Sequence, residues 1–479
     1  MGKFSLQAMH LASLLCCVLV SRGVFGQFPE PSALLLEDVL DSSARYFPQV
    51  LESLAARRAA EGERLEAEGA FDLVFSADGN QNAGYYDSTS LRGSARQRLR
   101  TAGGSLYADY KLSSGNFPVY QDNYYTNTGG TFRVGMLFSL LRDRNIDSQR
   151  FGVLDARLSM QEADLDLLMT RVGVQERALI AYWDWVARGR QLQVYEELLQ
   201  IARERQTGLE DEVERGARAE IFLTENRQNI TRRQTLVTSA QRDLALATNQ
   251  LSLYYRDTSG QPLLVGPQRL PPASDIEAVL AESAPPAVPV SEALNRRPEL
   301  AMLKAAIERE QNRISLAENS LKPRLDFFVE MQQGLGAPAE GGRSRDSTDA
   351  MAGFTFSIPL QQRSARGRLI SARADLETRQ FQQQLREEQI ELEIRNLLVD
   401  LNISRELLIL ADQEVQQSEL MRDSERRRFA SGASDFFLLN IREETATNAR
   451  IRLLEAEFQA RMARASYDAA TVDTERLGL

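Results

Sequence analysis

The side chains that most often carry chemistry in enzymes are concentrated at the start of this 479-residue sequence. Its one histidine, His10, and its two cysteines, Cys16 and Cys17, all lie within residues 1–26. Catalytic groups and zinc sites that rely on histidine or cysteine are therefore excluded from the rest of the chain. Catalysis by carboxylates alone would still need a domain that forms a pocket. We expect a chain that is not an enzyme, with no catalytic residue, no metal site and no cofactor.

Residues 1–26 have the pattern of a secretory signal peptide. Lys3 gives a positive start, an apolar core follows over 11–20, and Val24 and Gly26 are the small residues expected before a cleavage site. The core is about ten residues long, which is too short to span a bilayer. We therefore expect a mature chain that begins near Gln27 and has no disulfide.

The charge of the chain narrows the choice of partners. Its formal net charge is −10 at pH 7, and loss of Lys3 and Arg22 with the signal would make it more negative. An acidic chain argues against nucleic acid as a partner. No later segment is apolar over the length of a transmembrane helix. A secreted chain of this kind can enter a membrane only as strands of a closed barrel, which points to the outer membrane of a Gram-negative cell.

The elements that position all other residues are long polar segments whose apolar residues recur at spacings of three and four. The apolar stripes are narrow and continue over many turns, as in coiled coils; helices of a globular bundle would have wider stripes and be shorter. No proline occurs over 151–255, and a helix of roughly 60 residues before Gly216 would be about 90 Å long. Two such stripes are Leu192, Tyr195, Leu199, Ala202, Leu209, Val213 and Ile390, Ile394, Leu397, Leu401, Leu408, Ala411, Val415.

A smaller part of the sequence has the alternation and composition of β-strands. Two pairs of predicted strands flank two loops rich in glycine and polar residues, Asn80–Gly104 and Gly334–Ser347. The stretch Ser105–Tyr125 is compatible with one further hairpin and is left unassigned. The four predicted strands are 71–76, 131–138, 324–330 and 352–358.

The sequence repeats itself. The glycine turns at Gly216 and Gly432 each precede a second helix, and strand residues 135–140 resemble 353–358. We predict a first structural repeat over 27–255 and a second over 298–479. The proline-rich linker between them, 256–297, cannot continue a long coiled coil.

Four strands cannot close a membrane barrel, because single-chain barrels need at least about eight. Open sheet edges are not tolerated in lipid, and narrow apolar stripes on helices must be covered by neighbours. A closed ring of identical chains satisfies both requirements. The predicted fold class is therefore mainly α with a small membrane β part, in which a long coiled-coil α-barrel accompanies four β-strands per protomer.

Four motifs, in this order and spacing, resemble those of the TolC-like outer-membrane efflux proteins. The similarity covers nearly all of the chain after the signal peptide. The motifs are Arg297-Pro298-Glu299-Leu300, the strand start around Pro323, the strand-to-helix connection around Pro359, and the helix end Arg428–Gly432.

The resemblance implies a homotrimer with a 12-stranded β-barrel in the lipid of the outer membrane and an α-barrel that crosses the periplasm. It implies partners as well, a periplasmic adaptor (membrane fusion protein) and an inner-membrane pump, and a passive channel. It also implies a periplasmic end that is closed by polar links and opens when the adaptor binds.

The turns at Gly216 and Gly432 are our prediction for the periplasmic tip, and the residues beside them are gate candidates. The family often has an aspartate after the second turn, where this chain has Asn440. The candidates to replace it are the nearby carboxylates Asp435, Glu220 and Glu225. The alternative is that these are capping or solvated residues, and Asp435 is well placed to be an N-cap.

Three other interpretations are considered. A periplasmic coiled-coil adaptor or scaffold would have one hairpin inserted in a β domain, where this chain has two equivalent hairpins and two strand pairs. A carboxylate-based enzyme would have only the proline-rich linker from which to build a pocket. An outer-membrane component of type I protein secretion would share the predicted architecture, and the sequence does not separate it from small-molecule efflux.

Overall fold

The structure, a computed structural model, describes residues 32–117, 126–283, 289–338 and 347–479. The predicted signal peptide, with His10, Cys16 and Cys17, lies outside the described residues. The helices are α1 (Leu36–Tyr46), α2 (Pro48–Glu68), α3 (Ser148–Glu214), α4 (Ile221–Ser252), α5 (Ile276–Glu282), α6 (Val290–Arg296), α7 (Pro298–Leu321), α8 (Arg363–Ala430) and α9 (Phe436–Ala470). The strands are β1 (Val74–Asn82), β2 (Ser88–Arg98), β3 (Ser105–Gly115), β4 (Thr131–Ser139), β5 (Arg324–Gly334) and β6 (Asp349–Ser357). No helix in those ranges combines the length and the apolar character needed to cross a membrane.

Two very long helices determine the shape of the protein. Helix α3 has 67 residues and α8 has 68, so each is about 100 Å long. Each is followed by a shorter helix that returns along it, α4 with 32 residues and α9 with 35. The sequence-based prediction of long paired helices is confirmed. The repeat boundaries at 27, 256 and 298 remain a prediction.

Both long helices end at a glycine in the left-handed region, with φ +71° at Gly216 and +75° at Gly432. The amide of Ala217 donates to the carbonyl of Glu212, and the amide of Ala433 donates to that of Arg428, both at 2.9 Å. These bonds to the fifth preceding residue define a Schellman ending, which favours glycine because a Cβ is strained there. The two helices therefore stop in the same way and return at the same kind of turn.

The main core joins the helices near the predicted linker. Trp185 of α3 and Leu251 of α4 are fully buried in it. Leu34, before α1, and Leu477, after α9, belong to the same cluster and are also fully buried. A second cluster joins α6 and α7 to α8 and α9. The core thus ties together residues from widely separated parts of the sequence.

The strands form one antiparallel sheet in the order β1-β2-β3-β4-β5-β6. It lies beside the start of α3 and the ends of α2 and α7, so it is at the opposite end of the long helices from the turns at Gly216 and Gly432. The prediction of a mainly helical chain with a small β part is confirmed, and the predicted strands correspond to β1, β4, β5 and β6.

The described residues contain six strands, and the prediction of four is wrong. Strand β2 lies inside the segment predicted as the loop Asn80–Gly104, and β3 lies in the unassigned stretch Ser105–Tyr125, of which residues 118–125 are outside the described ranges. Strand β2 was missed because its serines, glycine and arginines resemble a loop more than a strand. The resemblance implied twelve strands in a trimer, which corresponds to four per chain, whereas the described part of this chain has six.

Candidate functional site

The helical tip, formed by the ends of α3 and α8 and the starts of α4 and α9, contains an aromatic cluster that joins the two hairpins. Phe436 of α9 is 1% exposed and packs with Leu209 and Leu223. Its ring centroid is 6.1 Å from that of Phe222 and 6.5 Å from that of Phe429. The first and second hairpins of one chain are therefore in contact at their tips.

Arg218, in the first turn, extends this cluster. Its guanidinium carbon is 5.3 Å from the ring centroid of Phe222 and 5.4 Å from that of Phe429. Its Nε donates to Glu212 at 2.5 Å. This arginine thus contacts aromatic rings from both hairpins, an arrangement that adds cation–π attraction to the packing.

The predicted gate residues fall into different environments. Asp435 is the N-cap of α9, and its carboxylate accepts a hydrogen bond from the amide of Leu438 at 2.7 Å. Glu220 is exposed immediately before α4, and Glu225 is partly buried in the first turns of that helix. Asn440 is buried, and its side-chain oxygen accepts a hydrogen bond from Arg205 Nη1 at 2.7 Å. The structure thus brings Asn440 into contact with the first hairpin and places Asp435 in a capping role.

Asn440 is part of a buried polar network, which we call the tip network: Arg205, Arg233, Asn440 and Glu443. Glu443 of α9 accepts hydrogen bonds from Arg205 of α3 and from Arg233 of α4, the latter at 3.0 Å. Arg233 Nη1 also donates to the carbonyl of Leu198 at 2.9 Å. Glu443 and Arg233 are almost completely buried. One carboxylate therefore links three helices.

The electrostatics of the tip network are unbalanced, since two guanidinium groups share one carboxylate. Burial lowers the pKa of Arg233 from its ordinary value, and the attraction of Glu443 opposes that effect. Sequence analysis missed Arg205, Arg233 and Glu443. A signal was present, because Asn440 and Glu443 occupy the same three-and-four spacing as the buried Phe436, Ala446 and Thr447. Polar residues on a buried stripe indicate a partner inside the bundle.

The residues of the sequence motifs before the second hairpin lie at or beside the ends of α7, β5 and β6. Arg297 is buried and pairs with Glu299 at 3.2 Å and with Glu393 of α8 at 2.7 Å. Pro298 is the first residue of α7, where a missing amide hydrogen costs nothing, and Leu300 is buried. Pro323 lies between α7 and β5, and Pro359 follows β6. These residues fix the direction of α7 and the limits of the second strand pair.

The sheet has one polar and one apolar face, because side chains alternate along each strand. On the polar face Arg133 Nε and Nη2 donate to Asp109 at 2.7 and 2.9 Å, and Tyr107 donates to Glu330 at 2.8 Å. On the opposite face Phe75 and Phe354 are both 74% exposed. Large apolar side chains exposed together on one face indicate that this face contacts lipid or another apolar surface.

Within the described part of the chain, no group of three or more histidine, cysteine, aspartate or glutamate side chains is arranged to hold a metal ion. The residues of the tip, the motifs and the sheet described above have structural roles. They end helices, join the two hairpins and give the sheet one polar and one apolar face. Long helical hairpins joined to a small, two-faced antiparallel sheet are the architecture that the sequence resemblance implied.

Comparison with known protein families gives a match over the second half of the chain. Residues 290–472 match the model of the family described as "Outer membrane efflux protein". This part of the chain is similar to that family, in agreement with the resemblance that the sequence motifs indicated. No curated protein sequence matches the chain.

Solved structures with the same fold cover almost the whole chain. The outer membrane protein VceC from Vibrio cholerae is 16% identical, with a TM-score of 0.60 over 91% of this chain and 95% of that one. The CmeC outer membrane channel of Campylobacter jejuni is 12% identical, with a TM-score of 0.60 over 97% and 94%. The open state of the MtrE outer membrane channel of Neisseria gonorrhoeae is 13% identical, with a TM-score of 0.63 over 91% and 88%.

Proposed function

We propose that this chain is the protomer of a trimeric outer-membrane channel in a tripartite efflux system. Three copies form a passive conduit that receives substrates from a periplasmic adaptor and an inner-membrane pump and releases them outside the cell. The single observation that carries the proposal is the exposed apolar face of the sheet, at one end of helices about 100 Å long. One end suits lipid and the other reaches far into an aqueous space.

The helices support the same arrangement. Large side chains along α8, such as Phe381, Leu392 and Leu407, are more than half exposed in one chain. Apolar residues on one helix face must be covered, and in a symmetric ring the neighbouring copies cover them. The adaptor interpretation fits less well, because two hairpins and one continuous sheet are present instead of one hairpin within a β domain.

At the periplasmic end, the tip network and the aromatic cluster hold the two hairpins of each chain together. Opening of the conduit requires that one hairpin move relative to the other, so contacts between them set the resting state. Asn440 and Glu443 on α9 make such contacts with Arg205 on α3, and Glu443 also makes one with Arg233 on α4. Glu220 and Glu225, on the first hairpin, and the turns at Gly216 and Gly432 are proposed to face the adaptor or the pore.

The test is imaging of the full-length protein, expressed with its signal, extracted in detergent from the outer-membrane fraction and purified. The expected result is a three-fold tube with a short membrane segment and a long helical body. A monomer, or a periplasmic species that needs no detergent, would contradict the channel and favour the scaffold interpretation.

A further inference from the structure

The β2–β3 hairpin is a full part of the sheet and not an appendage to it. Strand β2 pairs with β1 along the whole length of β1, from Val74 opposite Arg96 to Asn82 opposite Ser88. Strand β3 pairs with all but the last two residues of β4. Because the hairpin lies between β1 and β4, the sheet is continuous only through it.

The apolar face of the sheet continues without interruption across the hairpin. Leu91 of β2 is 53% exposed and lies on the same face as Phe75 of β1. Leu106 of β3 is opposite Met136 of β4, and both are more than one-third exposed. An apolar band that spans all six strands is the pattern of a lipid-facing wall.

The polar face continues across the hairpin in the same way. The hydroxyls of Ser76 in β1 and Ser94 in β2 are 2.7 Å apart. Asp109 of β3 holds Arg133 of β4 in a two-bond ion pair. Charged groups of this kind are costly in hydrocarbon, so this face must line water. The hairpin therefore has the same lipid side and the same water side as the other four strands.

The length of the hairpin also fits a membrane wall. Strands β2 and β3 have 11 residues each, equal to β5 and longer than the nine residues of β1. A tilted transmembrane strand needs about 9–11 residues. Shorter strands would have indicated a hairpin confined to one surface of the bilayer.

Among the described residues, the outer edges of β1 and β6 pair with no other strand. Unpaired edges are not tolerated in lipid, so each edge needs a strand from another chain. We infer that the β2–β3 hairpin lies in the membrane wall, so that three copies with six strands each close a barrel of eighteen strands. The inference rests on the proposed trimeric channel, and the occupant of each edge is a second copy of this chain.

The added strands change the width of the exit. Barrel diameter grows roughly in proportion to strand number, so eighteen strands enclose a lumen about 1.5 times as wide as twelve. Barrels of about this number of strands leave an open aqueous channel. The membrane segment is then not the part that limits the size of the cargo, and that limit falls to the helical part of the conduit.

Adjacent small residues on β2 allow a direct test. Ser94 lies on the polar face and Ala95 on the apolar face, and the chain has no cysteine after Cys17. In full-length trimers reconstituted in liposomes, Ser94→Cys and Ala95→Cys are each labelled with an environment-sensitive fluorophore. We expect brominated lipid to quench the label at Ala95 several-fold more strongly than at Ser94, and aqueous iodide to show the reverse order.

Ala352→Cys in β6 is the matched control, because Ala352 lies on the apolar face of a strand outside the hairpin. Lipid quenching at Ala352 with only iodide quenching at Ala95 would place the hairpin outside the wall. That outcome overturns the inference and leaves a channel of fewer strands intact. Absence of lipid quenching at Ala352 as well would contradict the proposed channel itself. A strand count of eighteen in images of the trimer is the second expected result, and twelve would overturn the inference.

Discussion

At the scale of single residues, the stability of the tip depends on the few buried charges of the tip network. Glu443 supplies the one carboxylate of the tip network, and its removal leaves Arg205 and Arg233 without a negative partner. Breaking a buried ion pair on one side is much more costly than breaking an exposed one. The next residue, Glu444, offers a natural comparison because it pairs with Arg232 near the surface.

We expect Glu443→Gln to lower the free energy of unfolding of the purified protein by about 3 kcal/mol, because Arg233 stays buried without a counter-charge. Glu444→Gln, the matched control, should cost less than about 1 kcal/mol. Chemical unfolding in detergent, followed by the loss of helical circular dichroism, measures both. Equal effects of the two substitutions would show that the buried position of Glu443 adds nothing.

Asp435 allows its capping role to be separated from a role in a charged gate. Its carboxylate caps α9, so Asp435→Ala should cost about 1 kcal/mol of stability, whereas Asp435→Asn keeps the cap and should be nearly neutral. If the negative charge also served a cation-selective ring, Asp435→Asn would change the cation selectivity of the channel in planar bilayers. We expect stability to fall only in Asp435→Ala, which loses the cap, and cation selectivity to remain unchanged in Asp435→Asn.

Tyr182 of α3 gives a prediction for alkaline pH. Burial raises its pKa to about 12, and its hydroxyl donates to the carbonyl of Leu34 at 3.0 Å. Below pH 10 the phenol is neutral in both states, and this contribution to stability is fully present. As pH rises through 10 towards 12, the unfolded state ionises first, so stability is lost by up to about 1.4 kcal/mol per pH unit.

The measurement is the difference in unfolding free energy between the unsubstituted protein and Tyr182→Phe at pH 9 and pH 11. At pH 9 the hydroxyl should favour the unsubstituted protein by about 1 kcal/mol. At pH 11 that advantage should shrink or reverse, because phenylalanine cannot ionise. An advantage that stays constant with pH would contradict the burial of the phenol.

At the scale of elements, helix length and helix ending are the features that sequence predicts best. The absence of proline and the sustained apolar spacing predicted helices such as α3 and α8, because local pattern largely determines where a long helix runs. Strand β2 was not predictable in the same way. Its small and polar residues are suited to a strand only through their cross-strand neighbours, such as Phe75 opposite Ala95 and Asp78 opposite Arg92.

The tip network shows the same limit within a helix. Its residues are ordinary surface types for a polar helix, and their burial depends on which helices meet. The position of Asn440 was predicted to matter from the family resemblance, whereas Arg205 and Arg233 come from other helices and required the fold. Sequence thus predicts elements from local pattern, and long-range pairing determines which polar side chains become buried.

Alanine substitutions of two glycines, one at a Schellman ending and one inside a helix, should change the stability of the protein in opposite directions. Gly432 has φ +75°, so Gly432→Ala should destabilise the protein by about 1 kcal/mol. Gly208 lies inside α3, and a Cβ there would meet nothing within 4 Å. Gly208→Ala should therefore stabilise the protein by about 0.5–1 kcal/mol. Thermal unfolding of the two variants side by side would show shifts of opposite direction, and shifts of the same sign would contradict this account of the helix end.

At the scale of the whole molecule, the up-and-down order of the strands predicts that the β2–β3 hairpin can be deleted without disrupting the rest of the sheet. Strand β1 runs away from the helices and β4 runs back, so deletion of residues 83–115 leaves these two strands able to pair as neighbours. We expect the deletion variant to form trimers with twelve strands and a narrower membrane segment. Imaging beside the full-length protein measures the change, and unchanged strand number and diameter would show that the hairpin is not in the wall.

The core that joins Leu34 to Leu477 has a consequence for the order of biogenesis. Contacts between such distant parts of a chain form slowly, because a very long loop must close first. In export from the amino end, which the predicted signal peptide implies, Leu34 would reach the periplasm long before Leu477. Most of this core, which α1 to α4 supply, can therefore assemble early in export, and the residues at and after the end of α9 complete it last.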